Sequence, residues 1–157
     1  MYKVIRDQQE KVGFWDFARG KWCEGTEERH MKTADYTLEG YEDKILIERK
    51  KNIAEFARNI NESRFVRELE RMENVEFPYV VLEFDMIDLM TFPASADLPP
   101  SVKRKIRVRG PFILKRLTEF QMKYKTKFIF AGPYGKEVAG SLFIRFIESL
   151  ENGNESS

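Results

Sequence analysis

The sequence predicts an α/β domain in which a mixed central β-sheet is flanked by helices. Three observations carry this expectation. Short strand-like runs alternate along the chain with segments of helical periodicity. Two of those runs, YVVLEF at residues 79–84 and FIFA at residues 128–131, are apolar throughout, the pattern of strands covered on both faces. Finally, 157 residues with 42% hydrophobic side chains, 13 of them Phe, alongside 34% charged residues suffice for one core, because a domain of this size buries roughly two-thirds of its unfolded surface. One folded unit over residues 1–151 is expected, followed by a polar, disordered tail at 152–157.

Residues 2–6 (YKVIR) alternate apolar and polar side chains and deliver Asp7 at the end of a first strand. Residues 8–32 lack periodicity. Their aromatics Phe14, Trp15, Phe17 and Trp22 are expected to pack as a loop or short helix over the core edge. Residues 36–39 and 44–50 form two strand-like runs joined by Gly40-Tyr41-Glu42-Asp43, a spacing suited to an antiparallel hairpin. Asn52 is placed to cap a helix whose Ile53, Phe56, Ala57 and Ile60 share one face, ending near Asn61 or Glu62. A second helix aligns Phe65, Leu69 and Met72, with Arg64, Arg67 and Arg71 on another face. After the strand at 79–84, Phe112, Ile113, Leu117, Phe120 and Tyr124 mark a long amphipathic helix. The strand at 128–131 follows, then a turn at Gly132-Pro133 and a last helix burying Val138, Leu142, Phe146 and Leu150. Gly132-Pro133-Tyr134-Gly135-Lys136 lacks the Ser or Thr of a phosphate-binding loop, so it is read as a turn and helix start.

Composition excludes several functions. Cys23 is the only cysteine and His30 the only histidine, so cysteine-cluster and histidine-rich metal sites are ruled out, as are disulfides within the chain. No apolar run approaches the roughly 18 residues of a membrane span, and the first ten residues lack a signal-peptide plan. The expectation is a soluble, intracellular (cytoplasmic) protein. Net charge is +1, but it is unevenly spread. Acids dominate residues 24–83, whereas Lys103, Arg104, Lys105, Arg107, Arg109, Lys115 and Arg116 lie in one segment without an acid. That segment is a candidate phosphate-contact surface; the alternative is a solvated helix face.

Chemistry concentrates in Asp35-Tyr36 and Ile47-Glu48-Arg49-Lys50. Successive side chains of a strand point to opposite faces, so Glu48 and Lys50 share one side and Arg49 takes the other. Asp35, on or before the partner strand, reaches the same surface if the register is favourable. Metal-assisted phosphodiester hydrolysis needs hard oxygen ligands for Mg²⁺ or Mn²⁺, a positioned water and a cation near the phosphate. Asp35 and Glu48 supply the first, and Lys50 would orient or help deprotonate the water and offset charge developing on phosphorus. Short acid and lysine patterns also recur by chance on solvated strands, so spacing alone leaves both readings open.

The order Asp7-Gln8-Gln9-Glu10, Ala34-Asp35-Tyr36 and Glu48-Arg49-Lys50-Lys51-Asn52-Ile53-Ala54, followed by RFVRELERM at residues 64–72 and then YVVLEF, resembles the nuclease domain of the XPF family of structure-specific endonucleases, within the PD-(D/E)XK class. The similarity is good over residues 4–84 and looser beyond. It implies a restriction-endonuclease-like α/β fold, in the stand-alone form met in phages and prokaryotes. By that resemblance Asp7, Glu10, Asp35 and Glu48 form the acidic, metal-holding site, Lys50 is the catalytic lysine and Arg49 shapes the site. Arg64 opens the arginine-rich helix and is expected to contact DNA. Ala54 stands where the family has its last acid, with Glu55 beside it; Gln9 replaces an arginine and Ala34 a glycine.

The resemblance implies a Mg²⁺- or Mn²⁺-dependent endonuclease acting on branched or junction DNA, of the kind used in repair and recombination, with a homodimer as a further expectation. Two alternatives stand beside it: a nuclease-inactive DNA-binding scaffold, and a small protein handling nucleotides or RNA through its basic segment.

Overall fold

A computed structural model describes residues 1–155. Six strands form one mixed sheet in the order β2-β1-β3-β4-β5-β6. Strand β1 (Tyr2–Asp7) pairs in parallel with β2 (Cys23–Arg29) and antiparallel with β3 (Tyr36–Leu38). Strand β3 is antiparallel to β4 (Ile45–Lys50), the expected hairpin, while β5 (Phe77–Leu82) and β6 (Lys127–Phe130) continue the sheet in parallel.

Strand alternation divides the core into two layers. Leu46, Val80 and Leu82 face a layer built with α1 (Ile53–Asn59), α2 (Ser63–Met72) and α5 (Gly110–Lys123), where Phe56, Phe65, Ile113 and Phe120 are buried. Ile45, Ile47, Val81 and Tyr36 face the opposite layer, formed with Trp15, Phe17 and α6 (Gly135–Glu155). Each fully buried side chain of this size contributes about 1.5–3 kcal/mol, so both layers hold the sheet firmly. Of the four aromatics expected over the core edge, Trp15 and Phe17 are buried there, Trp15 stacked on Tyr36 at 4.7 Å between ring centroids, and Trp22 is partly buried, whereas Phe14 stays exposed under the Arg6 guanidinium.

Helix α1 starts where expected, Asn52 accepting the Glu55 N–H at 2.8 Å. Elsewhere the structure departs from the expectations. Residues 23–29, expected to be irregular, form β2. Its sequence CEGTEER has no apolar alternation because it is an edge strand, and its charges guard that edge against further pairing. Two short helices, α3 (Met86–Met90) and α4 (Pro100–Lys103), lie in the connection before α5. On α6 the fully buried seam is Ala139, Phe143, Phe146 and Ile147, while Val138, Leu142 and Leu150 pack at its margin. A 3-10 turn at Gly132–Tyr134 precedes α6, in line with the turn reading. Helix α6 also continues through Asn152 to Glu155, where polar composition suggests a disordered tail, because each added residue gains a backbone hydrogen bond; residues 156–157 lie outside the described residues. Among the described residues no helix is long and apolar enough to cross a membrane.

Candidate active site

Strand β4 carries the site because its apolar alternation stops halfway. Ile45, Leu46 and Ile47 lock the strand between the two layers, and the face begun by Leu46 then continues as Glu48 and Lys50. Tyr36 opposes Ile47 across the antiparallel pair, and the Asp35 N–H donates to the Ile47 carbonyl at 3.0 Å. Asp35 therefore opposes Glu48 on the same face. The register left open by the sequence is the favourable one. The Arg49 N–H donates to Asp35 Oδ2 at 2.7 Å and fixes that carboxylate over the strand.

The two carboxyls are in hydrogen-bonding contact. Burial pushes Asp35 up to about 6, against the lowering effect of its hydrogen bonds with Glu48 and the Arg49 N–H. Burial and then the charge of Asp35 hold Glu48 well above the usual carboxylate range. Such a pair shares a proton when no cation is near. The Lys50 Nζ lies 3.8 Å from Glu48 Oε2, donates to Asn59 Oδ1 at 2.8 Å and sits 4.5 Å from the centre of the Phe65 ring. Burial alone would lower its pKa, but the carboxylates of Glu48, Glu68, Glu55 and Asp35 outweigh that and raise it. Lys50 is thus held as an ammonium, which suits a hydrogen-bond donor better than a base.

Arg49 points to the other face, as alternation requires. There its guanidinium bonds to Glu83, to Glu10 Oε2 at 3.2 Å and to the Gly13 carbonyl at 2.7 Å, and lies 4.8 Å above the Trp15 ring. Glu10 also accepts the Tyr36 hydroxyl at 3.0 Å and pairs with Lys51 at 3.1 Å. Asp7 Oδ1 accepts the Met31 N–H at 2.8 Å and Oδ2 the Gln9 N–H at 3.3 Å. Asp7 and Glu10 line the same cleft, of about 490 Å³, as Asp35, Glu48 and Lys50, yet their oxygens are engaged in holding backbone and cations. Arg64 stands at the rim of this cleft with its side chain 81% exposed, facing Glu62 at 3.5 Å.

The basic segment lies apart: none of Lys103, Arg104, Lys105, Arg107, Arg109, Lys115 and Arg116 lines the cleft. Nor is it a single helix face, since residues 104–109 run between α4 and α5 without helical structure. Arg104, Lys105, Arg107, Arg109 and Lys115 are exposed. Lys103 donates to the Ala94 carbonyl at 2.9 Å, and Arg116 to the Ile60 carbonyl at 3.2 Å and to Glu119 at 3.0 Å, so both serve the fold. Two contributors escaped sequence reasoning. Asn59 carries no motif or spacing that singles it out, and Glu68 stands among the α2 arginines Arg64, Arg67 and Arg71. The signal for Glu68 was its place in the stripe Phe65, Glu68, Leu69, Met72, where an acid interrupts buried residues.

Hard oxygen donors pressed together under burial fit a divalent cation, whose charge would relieve both carboxyls. Among the described residues no three His, Cys, Asp or Glu side chains are grouped to hold a metal alone. The donor set therefore fits an ion such as Mg²⁺, which commonly takes one or two carboxylates and keeps several waters.

No family model matches the chain, and no curated protein matches it. Among solved structures it is similar to XPF from Aeropyrum pernix, at 18% identity and a TM-score of 0.64, over 98% of this chain and 69% of that one. It is also similar to XPF from Aeropyrum pernix in complex with DNA, at 16% identity and a TM-score of 0.60, over 95% of this chain and 66% of that one. At these identities the likeness establishes the fold, an XPF nuclease-like α/β sheet flanked by helices.

Proposed function

We propose that the chain is a divalent-metal-dependent endodeoxyribonuclease that hydrolyses phosphodiester bonds in branched or junction DNA. The observation that carries this reading is the convergence of Asp35, Glu48 and Lys50 on one strand face, at the floor of a polar cleft, in an XPF nuclease-like fold. A structural neighbour solved in complex with DNA supports DNA as the partner.

Asp35 and Glu48 would hold Mg²⁺ or Mn²⁺. The bound ion supplies Lewis-acid polarisation of the phosphate and an acidified water. Lys50, pinned by Asn59 and Phe65, donates to the attacking water or a phosphate oxygen and offsets charge building at phosphorus. Arg49 holds β4 in register with Glu10 and Glu83 and so positions Glu48 and Lys50 on either side of it. Arg64 at the rim and the exposed arginines of residues 104–109 serve as phosphate contacts. A homodimer would enlarge the DNA contact area.

Ala54 and the engagement of Asp7 and Glu10 favour a second reading, a nuclease-inactive DNA-binding scaffold. Labelled flap, splayed-arm, Holliday-junction and duplex DNA, incubated with Mg²⁺, Mn²⁺ or EDTA, separate the two. Metal-dependent cutting of branched substrates is the expected result. Junction binding with no cutting under any metal would establish the scaffold instead.

A further inference from the structure

The resemblance leaves one chemical gap, at Ala54, and the structure places that residue away from the chemistry. Ala54 packs against the core layer of α1 and faces a groove shared with Leu98, outside the carboxylate cleft. Three further acids line the cleft near the Asp35–Glu48 pair: Glu55, Glu62 and Glu68. Glu55 turns back to accept the Lys51 N–H at 3.2 Å while its own N–H is held by Asn52, so its carboxylate closes the start of α1. Glu62 faces the exposed Arg64 at 3.5 Å.

Glu68 is differently placed. Its Oε1 accepts the Ala34 N–H at 3.2 Å, and Ala34 immediately precedes Asp35. Ala34 holds a left-handed backbone with φ of 68°, a conformation that costs a non-glycine residue about 1 kcal/mol and here aims the N–H at Glu68. One turn of α2 brings both Phe65, under the Lys50 ammonium, and Glu68 to the site, because residues three apart share a helix face. Of the three acids, Glu68 alone acts by its charge on Asp35, Glu48 and Lys50 together. Glu10 also faces Asp35, but Arg49 and Lys51 already offset it.

We infer that Glu68 is a positioning residue of this site and not one of its metal donors: a helix α2 carboxylate, anchored on the Ala34 N–H, that holds the Asp35 backbone and adds negative charge beside Asp35 and Glu48, so that a divalent cation binds there more tightly. The inference rests on the metal-dependent reading proposed above and adds a residue to it.

Mn²⁺ binding to the purified chain, measured by calorimetry or by electron paramagnetic resonance near neutral pH, tests it without recourse to activity. Glu68→Gln keeps an acceptor for the Ala34 N–H, so it removes charge while retaining the fold, as a melting temperature in EDTA close to that of the wild type will verify. The expected result is Mn²⁺ affinity about 10-fold or more weaker in Glu68→Gln, as for other residues that support metal ligands. Glu68→Asp, with the charge withdrawn by one methylene, should fall between it and the wild type, while Glu55→Gln stays close to the wild type. If Glu68→Gln binds as tightly as the wild type while Asp35→Asn loses the ion, Glu68 has no such role and the metal-dependent reading stands. If the wild type itself binds no Mn²⁺, both fall together.

Discussion

Lys50 shows how one side chain is fixed by incompatible demands. An ammonium buried to 6% exposure is tolerated only because Glu48, Asn59 and the Phe65 ring surround it. Lys50→Ala should therefore lower the rate of DNA cleavage by about 100-fold or more, the scale of losing one preorganised donor, while junction binding persists in a gel-shift assay. Asp35 links the site to pH. Its carboxyl is raised to about 6 from 3.8, so the metal-free native state binds more protons than the unfolded chain across that window. The associated penalty is absent below pH 3.8, grows as pH rises and is complete above about 6. Asp35→Asn keeps the acceptor for the Arg49 N–H and lacks the titration. Its melting temperature in EDTA should gain on the wild type as pH is raised from about 4.5 to 7; a constant difference would show that Asp35 does not titrate there. Arg49 is a matter of stability: Arg49→Ala leaves Glu10 and Glu83 without their shared cation and should cost about 3–5 kcal/mol in urea unfolding.

At the level of elements, legibility follows periodicity. Strand β4, the Asn52 cap of α1 and the apolar strands β5 and β6 all announce themselves, because their burial imposes a period or a capping residue on the sequence. From strand alternation alone Glu48 and Lys50 could be set on one face and Arg49 on the other. Strand β2 was hidden because an edge strand is free to be charged, and α3 and α4 because helices of five and four residues are too short to show a repeat. Glu68 was masked by neighbouring arginines, and only the fold shows that it looks inward. The packing of α5 on α3 turns on Gly110, where an added Cβ would stand 2.3 Å from the Met90 carbonyl oxygen. Gly110→Ala should thus destabilise by roughly 2 kcal/mol or more through forced displacement of the two helices. In contrast, a Cβ added at Gly140, within α6, would meet Phe17 at 3.5 Å, an ordinary van der Waals contact. Gly140→Ala should stabilise by about 0.5–1 kcal/mol, and denaturant melts of the pair would show opposite signs.

Across the whole molecule, candidate phosphate contacts fall in two places, the cleft and the connection between α4 and α5. The cleft sets its carboxylates among Lys50, Lys51, Arg58, Arg64 and Arg71, and the exposed arginines of residues 104–109 lie on the connection between α4 and α5. Joint replacement of Arg104, Arg107 and Arg109 by Gln should weaken DNA binding and flatten the slope of log affinity against log salt by up to about 0.9 per lost phosphate contact, with little change in the single-turnover rate at saturating protein. An unchanged slope would remove this connection from the DNA surface. The central claim, that the paired carboxyls of Asp35, just before β3, and Glu48 on β4 serve hydrolysis, is tested most directly by the single-turnover rate of branched-DNA cleavage in Mg²⁺ for the wild type beside Glu48→Gln. The expected result is cutting by the wild type that EDTA abolishes, and none detectable in Glu48→Gln. Equal rates in the two proteins, or cleavage that survives EDTA, would contradict the account.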